Sequence, residues 1–280
     1  MDTITTVQPM NYTAVNGMIG ALTARYRFLC AAPIGSSVQG RCLWGLTLGD
    51  GGKRVLIAAA FHGMEWMTAW VTLRLCEELC SALQTEQPLS GWDVRRALLG
   101  RSVVLVPMVN PDGVEIAFRK PWQANANGVD LNHNFNAGWE ILQQEECKKG
   151  IIGPCARQWG GIAPHSEPET KALVTLCERG DFRHVVALHS QGEEIYWRYG
   201  TYTPPESLLM AKAMAMASGY TVSAPTGLAS HGGFKDWFIE TYHRPGFTIE
   251  LGRGVNPLPI KDFTEIYGKA REMLLISAFL

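Results

Sequence analysis

The 280-residue chain has no apolar run near the ~20 residues needed to span a bilayer, so no membrane span is expected. It has no excess charge of either sign. Lys plus Arg is 25 and Asp plus Glu is 26, a net charge of −1, which excludes the electrostatic footprint of a general nucleic-acid binder. No long basic amphipathic stretch points to a membrane surface. The start, Met1 to Asn11, is polar and carries Asp2 in place of a basic segment followed by an apolar one. It therefore reads as lacking a secretory signal, and a cytoplasmic location is expected. No Cys-x-x-Cys occurs, which leaves no basis for a cysteine zinc site. The seven cysteines are odd in number and irregular in spacing, a poor disulfide framework. Reduced thiols are the expectation. Pairing stays open only for Cys147 and Cys155, which flank a loop containing Gly and Pro.

Repeats, low-complexity tracts and long linkers are also missing, so residues 1–280 are expected to form one domain. Hydrophobic residues make up 46% and charged residues 18%, enough apolar material for a packed core. Short apolar runs alternate with helical stretches. Cys42–Leu48 and Val55–Ala60 read as strands joined by a hairpin-type turn at Gly49-Asp50-Gly51-Gly52. Trp66 to Leu83 reads as a long buried helix. Val103–Val109 reads as a strand ended by a turn at Asn110-Pro111-Asp112-Gly113. Glu167 to Arg179 reads as a helix capped by Ser166, with early acidic residues that suit its dipole. Val185–His189, Ile195–Tyr199 and Phe247–Leu251 read as strands. Ser207–Ser218 and Phe263–Phe279 read as helices. Interleaved strands and helices define an α/β fold. The turn after Leu48 calls for an antiparallel pair, so a three-layer sandwich with a mixed sheet and helices on both faces is expected.

In open α/β sheets, ligands gather beyond the carboxyl ends of strands. The unusual polar residues fall there. His62-Gly63-Met64-Glu65 follows the strand ending at Ala60, and His189 ends the strand beginning at Val185. Two His and one Glu, with a position left for water, make a catalytic zinc set. The competing reading is a helix-capping His62, a solvated Glu65 and a structural His189. Glu250 lies inside the apolar run Phe247-Thr248-Ile249-Glu250-Leu251, where a carboxylate is costly unless paired or functional. It reads either as an ion-paired core residue or as a general base with a raised pKa.

Taken in order, His62-x-x-Glu65, His189 and Glu250 resemble the zinc carboxypeptidase family. Asn110-Pro111-Asp112-Gly113 and Gly128-Val129-Asp130-Leu131-Asn132 match two further landmarks of that family. A closer branch, the bacterial γ-D-glutamyl-L-diamino-acid endopeptidases, is similar over Trp122–Asn132, Gly192–Trp197, Gly232–Phe238, Arg244–Glu250 and Asn256–Pro259. The resemblance implies one zinc ion held by His62, Glu65 and His189, with Glu250 as base. It implies that Arg119 stabilises the oxyanion; the alternative is a surface Arg paired with an acid. It also implies a small peptide substrate derived from peptidoglycan (murein), cut at the γ-D-Glu–diaminopimelate bond. The LysM wall-binding modules often found in that branch have no counterpart here.

Two departures bear on specificity. Digestive members grip the substrate carboxylate with an Asn-Arg pair; here Asn132 is kept and His133 takes the Arg place. A neutral or weakly charged imidazole cannot form the bidentate fork of Arg, so C-terminal trimming of proteins is disfavoured. The family's mobile Tyr falls at Leu228. Arg198, Arg253 and His231, which flank presumed pocket segments, are candidates to bind substrate carboxylates alongside Asn132 and His133. For each Arg an ordinary surface role is the alternative. Two rival functions remain: a metallocarboxypeptidase for other small peptides, and a catalytically silent binding protein on the same fold.

Overall fold

The structure, a computed structural model, describes residues 8–279. Most of the polar start read as lacking a signal therefore lies outside the described residues. Eight strands form one sheet: β1 (Cys30–Ser36), β2 (Cys42–Leu48), β3 (Lys53–Ala59), β4 (Arg101–Val106), β5 (Phe182–His189), β6 (Glu194–Tyr196), β7 (Thr221–Ser223) and β8 (Gly246–Glu250). The helices are α1 (Tyr12–Arg25), α2 (Met67–Thr85), α3 (Val94–Ala97), α4 (Pro111–Ala117), α5 (Trp139–Lys148), α6 (Pro168–Gly180), α7 (Glu206–Ser218), α8 (Phe234–Tyr242) and α9 (Phe263–Phe279). None of the described helices is long and apolar enough to cross a membrane.

The strand order is β1-β2-β4-β3-β5-β8-β6-β7. The centre, β4-β3-β5-β8, is parallel. Antiparallel pairs join β1 to β2, β2 to β4, and β6 to β8. The sheet is thus mixed, as expected. Alternation along the central strands feeds two cores. Val55, Ile57 and Ala59 pack with α1, α2 and α9 on one face. Leu56 and Ala58 pack with α6 and α8 on the other. Both faces of a parallel centre are covered, which is why its strands read as continuous apolar runs rather than as half-polar ones.

Three local expectations are corrected. Gly49–Gly52 is not a hairpin: β4 lies between β2 and β3. The loop instead crosses the start of β4, with the Gly51 amide donating to the Arg101 carbonyl at 3.3 Å. A Cβ on Gly51 would lie 1.9 Å from the Gly100 carbonyl carbon, so only glycine permits this crossing. Asn110-Pro111 does not merely end a strand. It starts α4, with Asn110 Oδ1 accepting from the Gly113 amide at 2.8 Å and proline at the first turn. Ser166 does not cap α6; its hydroxyl donates to Glu167 Oε1 at 2.7 Å, and Glu167 occupies the cap position.

Candidate active site

Strand ends bring the chemistry together. His62 follows β3, and Glu65 closes a short 3₁₀ turn, Gly63–Glu65, that leads into α2. His189 and Glu250 end β5 and β8 and are direct partners in that parallel ladder. His62, Glu65 and His189 converge: one ligand atom from each lies within 4.8 Å of the others. Glu65 Oε1 is 2.8 Å from His62 Nδ1, and Glu65 Oε2 is 3.0 Å from His189 Nδ1. The two Nδ1 atoms are 3.3 Å apart. Four-coordinate zinc with bonds of ~2.1 Å needs donors about 3.4 Å apart, so this set fits the ion with small adjustments. Glu65 is buried rather than solvated, and His62 makes no side-chain helix cap, which removes the competing reading of that motif.

The outer contacts orient the donors. Asp130 Oδ1 is 3.0 Å from His62 Nε2. Its carboxylate also accepts from the Gln158 amide at 2.9 Å and the Asn132 amide at 3.1 Å. Stacking on Phe61, with ring centroids 5.0 Å apart, fixes the His189 ring. Among the described residues, His189 Nε2 is buried without a hydrogen-bond partner.

The electrostatics divide the carboxylates. Burial opposes ionisation of Glu65, yet His62 and His189 bring its pKa down to about 2. Asp130 is held far below the usual range by His62 and His133 despite its burial. Desolvation, then the Glu65 and Glu194 carboxylates, push Glu250 well above the usual range. Among the described residues Glu250 forms no ion pair, so the core ion-pair reading has no partner. One carboxylate set is therefore ionised and ligand-like, and one carboxylate is poised to hold a proton.

The remaining predicted residues are spread around this centre. Asn132 Oδ1 accepts from the Phe234 amide at the start of α8, at 3.0 Å. His133 is buried, and its Nδ1 contacts Glu146 Oε1 at 2.9 Å and the Gln158 carbonyl at 3.0 Å. Burial alone would lower its pKa, but Asp130 and Glu146 raise it, which favours the imidazolium. The ring at the Arg place is thus held between two carboxylates that favour its charged form. Arg198 and His231 line a cavity of about 440 Å³ with Tyr199, Tyr202 and Pro225. Tyr199 Oη lies 3.3 Å from His231 Nδ1. Arg253 is exposed and pairs with Glu193 at 2.9 Å. Arg119 is exposed, and its guanidinium has no ion pair among the described residues. Leu228 is buried and carries no hydroxyl.

Residues that the sequence reading left unassigned are Asp130, Glu146, Glu194 and the buried pair Lys235–Asp236 on α8. Asp130 sits inside a recognised landmark segment, so its signal was present. Lys235 and Asp236 look like solvent-facing charge until the helix is placed. Cys147 and Cys155 are free thiols.

With this geometry, residues 15–273 match the zinc carboxypeptidase family. The chain belongs to that family and is a metallopeptidase. It is 35% identical to gamma-D-glutamyl-L-diamino acid endopeptidase 1 of Lysinibacillus sphaericus, over 98% of this chain and 73% of that protein. The solved murein-tripeptide amidase of Escherichia coli O157 is 25% identical, with TM-score 0.58, covering 88% of this chain and 91% of its own. Bovine thrombin-activatable fibrinolysis inhibitor shares the fold, with TM-score 0.79 at 22% identity over 97% of this chain and 96% of its own.

Proposed function

We propose that this metallopeptidase hydrolyses the bond between a γ-linked D-glutamyl residue and a diamino acid, such as diaminopimelate, in peptides derived from peptidoglycan. The observation that carries the reading is the convergence of His62, Glu65 and His189 beside a protonatable Glu250. The 35% identity to an enzyme named for that bond supports the substrate class.

In this reading His62, Glu65 and His189 hold one zinc ion. Zinc supplies a Lewis acid that acidifies water and polarises a carbonyl. Glu250 takes the proton of the attacking water and delivers it to the leaving nitrogen, a role suited by its raised pKa. Arg119, exposed and unpaired among the described residues, turns to the developing oxyanion. The Asn132 side-chain amide and the His133 ring hold one substrate carboxylate. Arg198 and His231 serve another from their shared cavity, and Arg253 a third after releasing Glu193. One domain, residues 1–280, carries all of these roles.

The test is a side-by-side assay of L-Ala-γ-D-Glu-diaminopimelate and hippuryl-type peptides on the zinc-loaded protein. Faster cleavage of the γ-linked peptide is expected. The opposite ranking would overturn the substrate assignment while leaving the metallopeptidase class in place.

A further inference from the structure

Glu194 stands directly opposite Glu250 in the antiparallel β6–β8 ladder. Directly opposed residues leave a sheet on the same face, so both carboxylates rise from the side that carries the catalytic donors. Gly192 marks how close they come. A Cβ added there would meet Glu250 Cβ at 3.4 Å and Glu194 Oε2 at 3.5 Å.

What distinguishes Glu194 is the missing counter-charge. Its neighbour Glu193 is saturated by two cations, Arg253 at 2.9 Å and Lys269 at 2.7 Å. Glu194 accepts one hydrogen bond, from the Tyr196 hydroxyl at 2.6 Å. Among the described residues it forms no ion pair with any Lys, Arg or His. Like charges placed directly across a ladder are destabilising, and Glu194 is one of the groups that push the Glu250 carboxyl up. Such an arrangement is relieved when a cation enters from outside the chain. Glu194 is partly exposed, so a ligand reaches it, and the Tyr196 hydroxyl holds the carboxylate in place.

We propose that Glu194 is a specificity-determining residue that receives the side-chain ammonium group of the substrate residue on the leaving side of the scissile bond. A diamino acid carries such a group and a mono-amino acid of the same length does not. This deepens the substrate class proposed above and rests on that reading. The Tyr196 hydroxyl fixes one carboxylate oxygen, leaving the other for the ammonium. A charge-assisted contact of this kind is expected to be worth about ten- to a hundredfold in kcat/KM.

The experiment uses the zinc-loaded full chain and two substrates that differ only in the ammonium group, L-Ala-γ-D-Glu-L-lysine and L-Ala-γ-D-Glu-L-norleucine. The wild type is expected to favour lysine by about ten- to a hundredfold in kcat/KM. Glu194→Gln is expected to bring that ratio close to one; any change in Glu250 that follows from losing the Glu194 charge acts on both substrates alike and cancels in the ratio. A measurable norleucine rate also reports that the variant is folded. An unchanged ratio in Glu194→Gln overturns the proposal. So does an equal loss on both substrates, which would mark a structural or base-tuning role. The α-linked pair L-Ala-L-Glu-L-lysine and L-Ala-L-Glu-L-norleucine is run in parallel. Preference for the α-linked pair sinks the γ-D-glutamyl reading, and the lysine-to-norleucine ratio on that pair still decides the role of Glu194. If neither linkage is cleaved, both readings fall.

Discussion

Asp130 Oδ1 and His62 Nε2 lie 3.0 Å apart, on the side of the imidazole ring away from Glu65. An ionised carboxylate there holds the ring proton on Nε2 and turns the Nδ1 lone pair toward Glu65 and His189. Asp130→Ala is expected to weaken zinc binding by about ten- to a hundredfold, because the ring loses both its tautomer and its orientation. Competition with a chelator reads this directly. Unchanged affinity would show that His62 is oriented by something else.

Glu250→Gln keeps the shape of the side chain and removes the proton acceptor. The zinc content is expected to stay at one ion per chain while kcat falls by ~10²–10⁴. Metal analysis and a rate assay on the same preparation check both halves. Near-normal kcat would remove Glu250 from the reaction.

Gly63 stands between His62 and Glu65, two of the three candidate metal donors, and lies against the loop that carries Trp122. A Cβ there would sit 2.2 Å from the Gly113 carbonyl oxygen and 2.6 Å from the Trp122 carbonyl oxygen. Neither atom belongs to a flexible side-chain end. Gly63→Ala is expected to destabilise the fold by about 1–3 kcal/mol and to lower zinc affinity together with it. A thermal melt with and without zinc measures the two effects.

Glu169 supplies a pH dependence away from the metal. It accepts from the Val38 amide at 3.1 Å and from Asn125 Nδ2 at 3.2 Å, on a side chain with no solvent exposure. Burial, with the nearby Asp112 carboxylate, pushes it up to about 7 from 4.5. The folded state therefore binds a proton that the unfolded state has released. Its contribution is full below about 4.5 and is lost as pH rises through about 7. The expected loss across that window is about 3 kcal/mol. Glu169→Gln is expected to flatten this part of the stability profile when denaturant midpoints are compared at pH 5 and pH 8 with the same zinc loading. A variant that tracks the wild type at both pH values would contradict it.

Local pattern was enough for α9, whose bounds Phe263–Phe279 are those read from the sequence. It was enough for β2 as well, and for setting His62 after β3 and His189 at the end of β5; Glu250, read inside Phe247–Leu251, is the last residue of β8. It failed where distant partners decide. The glycine-rich loop after β2 has hairpin composition, but nothing local announces that β4 will insert beside it. Helix α8 escaped because Lys235 and Asp236 pair inside the protein, so Phe234–Ile239 is buried throughout and shows no polar face. Helix α1 escaped because Gly17 and Gly20 interrupt a run that otherwise favours helix. The setting of His133 was illegible for a similar reason. Its partner Glu146 is 13 residues away on a separate helix, and residue type alone says nothing of that contact.

The donors His62 and His189 are 127 residues apart in the chain and meet only because β3 and β5 are neighbours. Parallel pairing of that kind carries the loop-closure entropy of everything between, and it forms slowly compared with helices and hairpins. An ion held between these strands would therefore not seed folding, as it does in small zinc modules whose ligands are close in sequence. Before the central strands close, the growing chain offers only His62 and Glu65, a two-donor site that holds metal poorly. A chain that ends before β5 lacks His189, and one that ends before β8 lacks Glu250.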